Sequence, residues 1–423
     1  MENILNKLKM LVTDKTLRNR ILFILGAMVV FRLLSAVPIP GVDPLKLQSF
    51  LSNNQFLGVL NIFSGGGLST LSIMMLGVGP YITSSIIMQL LTIMSPKLKA
   101  LYQEEGDAGR KKFNQYSRLL TVPLALVQGF GFLAFLKAQG VLVDLTLFDQ
   151  IVNISVITAG SVLLMWIGEL ISEFGIGNGV SILIFAGIVA SLPSTLAQLT
   201  FSFEAAQLPI YLAVLFVAML ITYGVVFITE AERPIPITYA KRVRGSKVFG
   251  GISTYLPLRL NQAGVIPIIF ALSILLFPQM ILNFLTTLEN PLTQKISNVL
   301  LSFVNNTWLY SGVYFALVFV FTYFYTAVTF DPDSTATHLQ KNGAFIPGIR
   351  PGNTTSIYIG KILTRLTLVG ALFLGAIAVL PLIMVALTGV TAFAIGGTGL
   401  LIVVSVVIDL LKKIEAQISV REY

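Results

Sequence analysis

A catalytic or metal centre needs nucleophiles, acid–base groups or soft ligands brought together, and this sequence supplies almost none. Its 423 residues include no cysteine and one histidine, His338, in a polar stretch. That excludes disulfides, thiolate chemistry and Cys/His metal sites. The run Gly175-Ile176-Gly177-Asn178-Gly179 has the look of a phosphate-binding loop, but no strand precedes it and no Walker lysine follows; it reads as a tight turn. Glu169, Glu173, Lys361, Arg365 and Asp409 sit near the ends of apolar runs, where they reach water. Arg32 alone lies deeper, on a stem long enough to snorkel. A charge at mid-membrane costs at least about 2.5–3.5 kcal/mol on insertion scales and marks relays and counter-ions. With so few of them, proton-coupled transport has little to work with; an uncharged carrier of a small solute stays as the alternative class. No enzyme activity, cofactor or metal is expected.

The elements that would position any site are membrane spans. The chain is 55% hydrophobic and 11% charged, with a mean hydropathy of +0.85; soluble chains carry roughly a quarter charged residues. A spanning helix needs about 20 mostly apolar residues. The pattern predicts ten spans: 20–37, 71–94, 118–136, 151–171, 179–193, 209–229, 263–285, 309–329, 363–385 and 391–411. The N-terminal basic residues Lys7, Lys9, Lys15, Arg18 and Arg20 precede the first run, which continues into Pro38-Ile39-Pro40-Gly41 without a small-x-small cleavage site, so it reads as a retained helix. Of the 28 Lys and Arg, all but Lys46, Lys137, Lys295 and Arg32 fall in the N-terminal segment, the second, sixth and eighth loops, and the tail. The positive-inside rule then places both termini in the cytoplasm.

Five spans fall in an N-terminal half (1–193) and five in a C-terminal half (209–411), joined by an external loop at 194–208. An odd number in each half makes any repeat between them inverted. The cytoplasmic loops 230–262 and 330–362 are long and basic, and a tail covers 412–423. The expected fold is all-α: a polytopic integral membrane protein of ten transmembrane helices in two inverted, pseudo-symmetric halves with a re-entrant segment. Glycine, serine, threonine and proline thread several spans, at Gly77, Gly79, Pro80, Thr83, Ser84 and Ser85 in the second and at Gly264 and Pro267 in the seventh. Such residues serve close helix packing or helices that must part.

Ser64-Gly65-Gly66-Gly67-Leu68-Ser69, then Gly79-Pro80-Tyr81-Ile82, resembles the plug and second helix of the SecY family. The resemblance continues through Glu105–Lys112, Gly175–Gly179, Tyr239-Ala240-Lys241-Arg242, Leu256-Pro257-Leu258-Arg259 and Ala263–Pro267. Gly343-Ala344-Phe345-Ile346-Pro347-Gly348-Ile349-Arg350-Pro351-Gly352 is the most specific stretch, and Thr364–Thr367 and Gly396-Gly397-Thr398 close the match. It covers nearly the whole chain in order.

The resemblance implies an hourglass-shaped channel that passes unfolded polypeptide across a membrane or releases apolar segments sideways into lipid. Its aliphatic pore ring falls on Val78, Ile82, Ile184, Ile269 and Ile402, with Ile86, Val180 and Ile266 as neighbours; Val78 departs from the usual isoleucine. The plug covers roughly residues 61–70, including Asn61, Ile62, Phe63, Ser64, Gly65, Gly66, Gly67 and Leu68. A lateral gate lies between the second and third spans and the seventh and eighth, with Gln89 and Asn261 as polar candidates along it. The docking surface for a motor or ribosome takes in Lys241, Arg242, Arg244, Lys247, Lys341 and Arg350. The resemblance also implies SecE-like and SecG-like small membrane subunits, a SecA-like motor ATPase, the ribosome, signal peptides and unfolded secretory chains as partners. Anionic lipids join them, the setting being a bacterial plasma (inner) membrane.

Overall fold

Helices begin in this chain where the sequence supplies a capping group or a proline. The computed structural model describes residues 14–41, 66–68, 70–138, 140–142, 146–201, 208–240, 242–244, 247–249, 253–275, 302, 306–388 and 392–422. Its first helices are α1 (Lys15–Ser35), α2 (Gly79–Met94), α3 (Pro96–Gln103), α4 (Gly106–Ala138), α5 (Leu147–Phe174), α6 (Gly179–Phe201) and α7 (Leu208–Glu230). Strands β1 (Glu232–Tyr239), β2 (Arg242–Arg244), β3 (Lys247–Phe249) and β4 (Ser253–Arg259) follow. Then come α8 (Ile266–Leu275), α9 (Thr307–Thr329), α10 (Pro332–Lys341), β5 (Ala344–Phe345), α11 (Asn353–Thr388) and α12 (Ala392–Glu422).

Asp14 caps α1, its Oδ1 accepting from the Thr16 amide at 2.8 Å. Thr146 and Asp149 form a reciprocal capping box on α5. Asn306 caps α9 through the Leu309 amide at 3.1 Å. Helix α2 has no side-chain cap and starts on Pro80 instead, where the missing N–H costs nothing.

Among the described residues, four helical stretches are long and apolar enough to cross a membrane: Gly106–Lys137, Leu147–Phe174, Thr307–Lys341 and Asn353–Met384. Gly79–Met94, Gly179–Pro193, Leu215–Glu230 and Ile266–Leu275 are apolar but shorter. The expected second span, 71–94, is helical only from Gly79; residues 73–78 run in turns, with Leu71 at φ 41° and Gly77 at φ 58°. Helix α6 extends through Phe201 into the expected external loop, because Ser194-Thr195-Leu196-Ala197-Gln198-Leu199 contains no glycine or proline to stop it; residues 202–207 lie outside the described residues.

The all-α expectation is corrected in the sixth and eighth loops. An antiparallel three-stranded sheet in the order β4-β1-β5 joins the two loops, and β2 and β3 form a separate hairpin. Ile235 and Ile237 of β1 are buried on alternate positions, the period-2 signature of a half-buried strand. Strand β5 reaches only Thr238 and Tyr239, so Pro234 and Pro236, which cannot donate to a ladder, lie where β1 has a single partner.

The main apolar core runs through α1, α2, α5, α6, α7, α8, α9, α11 and α12. Apolar side chains also cover the outside: Leu212, Leu215, Phe216, Met219 and Leu220 of α7 are all exposed. An apolar exterior of that extent suits lipid. With lipid outside, small residues hold helices together by close approach. A Cβ on Gly160 would stand 2.1 Å from the Ile73 carbonyl oxygen, and one on Gly179 would stand 1.8 Å from the Gly168 carbonyl oxygen. The glycine-rich turn of 175–179 is therefore a packing device, with Gly177 at φ 95°.

Candidate functional site

Ile82, Ser85 and Gln89 recur at i, i+3 and i+7, and so share one face of α2. The same spacing puts Trp166, Glu169, Leu170 and Glu173 on one face of α5, Val180 and Ile184 on one face of α6, and Ile266, Ile269 and Phe270 on one face of α8. All these residues line a single cavity of about 590 Å³, joined by Asn114 and Arg118 of α4 and Tyr325 of α9.

The cavity has an apolar end and a polar end. Ile82, Ile184 and Ile269 are 7%, 2% and 6% exposed, and they belong to one apolar cluster with Val78, Ile86 and Ile402. Val180 and Ile266 pack against that cluster. The structure thus brings together all eight residues expected in or beside the ring, from α2 and the turn before it, α6, α8 and α12. Gly399 lets α12 close on α6, since a Cβ there would lie 3.3 Å from Ile188. None of these aliphatic side chains has a hydrogen-bonding group, so the cluster holds by contact alone.

At the polar end, Arg118 Nε donates to Glu169 Oε1, tying α4 to α5, while Glu173 is exposed one turn further on. Sequence reasoning missed this pair, because its partners are 51 positions apart and no local spacing links them. Gln89 Oε1 is buried in the same cavity without a hydrogen-bond partner. Asn261 is elsewhere: its Nδ2 donates to the Gly264 carbonyl at 3.2 Å, its Cα lies 3.8 Å from a Cβ built on Gly370 of α11, and its Oδ1 has no partner. No hydrogen bond joins it to Gln89.

Of the expected plug, Gly66, Gly67 and Leu68 are described; Asn61, Ile62, Phe63, Ser64 and Gly65 lie outside the described residues. Leu68 is 1% exposed, packed with Leu71, Met75, Phe132, Leu136 and Ile157. The segment is pinned to the end of α1, with the Ile39 amide donating to the Leu71 carbonyl at 2.9 Å and the Ile73 amide to the Val37 carbonyl at 3.0 Å. Gly67 is required there, since a Cβ would meet Ser72 Oγ at 2.7 Å.

The expected docking residues divide. Arg242, Arg244 and Lys247 are on the β2–β3 hairpin, with Arg244 paired in register to Lys247; Lys241 lies outside the described residues. Lys341 ends α10. Arg350 is exposed in the turn between Gly348 and Gly352, both at positive φ, where glycine is the default residue. Its carbonyl accepts from Thr355 Oγ1 at 3.0 Å in the first turn of α11.

A family model described as SecY matches residues 72–411. The chain belongs to the SecY family. A protein translocase subunit SecY of Mycobacterium bovis is 41% identical over 96% of both chains. A solved structure of a protein conducting channel has a TM-score of 0.65 at 19% identity, covering 96% of this chain and 93% of that one. A SecY structure whose plug domain is described as stabilising the closed state and maintaining a membrane seal matches at 0.64 and 18%, with the same coverage. Sec61 in a canine ribosome-channel complex matches at 0.61 and 17%, over 96% and 93%. The fold of this SecY-family chain is that of these channels.

Proposed function

We propose that this chain is the central subunit of a protein-conducting channel, passing unfolded secretory polypeptide across a membrane and releasing transmembrane segments sideways into lipid. One observation supports the reading: six buried aliphatics, Val78 in the turn before α2, Ile82 and Ile86 of α2, Ile184 of α6, Ile269 of α8 and Ile402 of α12, belong to one apolar cluster beside a polar-mouthed cavity. A narrow apolar collar excludes water and ions by dewetting. It offers no fixed hydrogen bond, so it can close around any side chain without retaining it. A carrier of a small solute would need convergent polar groups at the buried end, and there the lining is Ile82, Ile184, Ile266 and Ile269.

In this reading the chain crosses a bacterial plasma membrane ten times, in two inverted halves of five, with both termini cytoplasmic. Residues 61–70 plug the external side, and the lateral gate opens between α2–α4 and α8–α9. Gln89, which lines the cavity with a buried and unpartnered oxygen, fits a polar contact along the gate better than Asn261. The pore is passive. A SecA-like motor or the ribosome docks on the sixth and eighth loops, where exposed arginines and lysines suit a polyanion such as ribosomal RNA. SecE-like and SecG-like subunits complete the complex.

Site-specific photo-crosslinking tests it, from Ile82, Ile269 and Ile402 to a stalled secretory chain in vesicles containing the small subunits and motor. Crosslinks at all three positions and none from exposed Val320 are expected. Translocation without crosslinks would move the pore elsewhere in the molecule.

A further inference from the structure

Arg32 takes no part in the cavity or the aliphatic cluster. It stands in the last turn of α1, between Val29-Val30-Phe31 and Leu33-Leu34. A charge kept in such an apolar run is costly and marks a polar partner or a function. What it meets is a distant turn. A Cβ built on Gly66 would lie 3.0 Å from Arg32 Nη1, so the guanidinium packs against Gly66 in the turn Gly66-Gly67-Leu68. Gly66 is at φ 85°, a conformation that glycine adopts at no steric cost, and it has no side chain to hold the guanidinium off.

The contact sits at the edge of an anchored segment. Ser35 Oγ donates to the Arg32 carbonyl at 2.9 Å, and the Ser35 carbonyl in turn accepts from Thr70 Oγ1 at 2.9 Å. The Ser72 amide donates to the Gly67 carbonyl at 2.7 Å. With the Ile39–Leu71 and Ile73–Val37 backbone bonds, these fix residues 70–73 to the chain that leaves α1. Gly66 lies before all of them, next to the expected plug residues 61–65. No other residue of 33–41 or 66–75 is ionisable, so Arg32 brings the only charge to this junction. A guanidinium is a donor only, and what a glycine turn offers it is backbone carbonyls. Hydrogen bonds from a charged donor are about twice as strong as neutral ones.

We propose that Arg32 is a latch: its guanidinium holds the turn at Gly66 against the last turn of α1, and so keeps Leu68 in its bed of Leu71, Met75, Phe132, Leu136 and Ile157 while the channel is closed. The inference deepens the channel reading and rests on it, because holding this segment regulates passage only if the segment closes a pore. An arginine that merely snorkels to the membrane surface would leave the turn no more firmly seated than a neutral residue does.

The chain has no cysteine, so Leu68→Cys supplies a single thiol whose alkylation by a maleimide reports how often this segment leaves its bed. The full chain with its small subunits is assayed in nanodiscs, with Leu164→Cys of α5, equally buried, as the control site. Arg32→Gln and Arg32→Met should each raise alkylation at position 68 about tenfold and leave position 164 unchanged. Arg32→Lys should raise it less, since lysine keeps the charge without the planar fork. Insertion is not at risk in Arg32→Met, because losing a charge from an apolar run favours the span. An unchanged rate at position 68 overturns the latch, and so does an equal rise at both positions, which would be general loosening. Ion conductance in vesicles keeps the two readings apart. A leaky Ile82→Gly/Ile269→Gly channel with unchanged alkylation in Arg32→Met overturns the latch alone. Faster alkylation at position 68 with no leak from that double variant supports the latch contact and counts against the channel.

Discussion

The proposed collar and the sheet of the sixth and eighth loops are both buried apolar clusters, yet they are held in opposite ways. Around the proposed collar, Ile82, Ile184, Ile269 and Ile402 come from separate helices and belong to one apolar cluster, with no hydrogen-bonding group among these four side chains. In the sheet, Ile235, Leu258, Ile346, Ile359 and Ile362 pack beneath strands fixed by backbone ladders, from Glu232↔Arg259 to Thr238↔Ser253 and on to Phe345. Dispersion contacts are non-directional and can be remade after the helices part. Ladder hydrogen bonds are directional and resist sliding, because a one-residue slip turns every side chain over. The region proposed to open has the first kind of cohesion. The region proposed to receive a push has the second. The sheet also couples the two loops mechanically: β5 lies between α10 and α11, and α11 runs as one helix from Asn353 to Thr388. A load on either loop therefore reaches the same long helix.

The largest effect that would sharpen this contrast comes from the close helix contact beneath the collar. Gly179→Val puts a side chain where a Cβ already stands 1.8 Å from backbone. It should destabilise the protein by about 3 kcal/mol or more, read as a lowered melting temperature and faster proteolysis. Next, the double variant Ile82→Gly with Ile269→Gly should leave the fold intact and open the collar, raising ion conductance of reconstituted vesicles by about an order of magnitude. Unchanged conductance in a well-folded protein would mean that these residues do not form the seal.

A smaller and separate effect is expected from the sheet. Ala344→Pro removes a strand amide where β5 meets β1. It should weaken motor or ribosome docking about threefold to tenfold by loosening the eighth loop while conductance stays unchanged. If the seal leaked as well, the two regions would not be the independent structures described above. Arg350→Glu should reduce docking by a similar factor and flatten its salt dependence, measured by titration at two ionic strengths. The least effect belongs to Arg118→Gln. The Arg118 side chain is 48% exposed, so its pair with Glu169 is screened by solvent and contributes about 0.5 kcal/mol, a shift of about one or two degrees in melting temperature.

Much of the architecture was legible because lipid enforces it. Uniform apolar runs and one-sided lysines and arginines announce helices that must satisfy their own backbone, and the starts of α5, α6, α7 and α9 fall within a few residues of expectation. The misses have local reasons. Residues 71–78 are as apolar as a span, but a positive φ at Leu71 and Gly77 and Pro80 in the first turn of α2 postpone the helix. The alternation of Ile235 and Ile237 was a readable strand signal, hidden by prolines on either side that argue against a central strand.

The sequence by itself determined the class of molecule, the rhythm of its apolar runs and the absence of cysteine chemistry. Each follows from composition or from periods of a few residues. Local spacing did not decide which aliphatics share a cluster; the family resemblance named them, and the tertiary structure gathers them. Val78, Ile184, Ile269 and Ile402 look like any other helix-packing residues in the chain, and a non-directional contact leaves no trace in local spacing. The same holds for the Arg118–Glu169 pair and for the sheet that joins two loops about a hundred residues apart: both bring together residues far apart in the chain, and no local spacing encodes such a pairing.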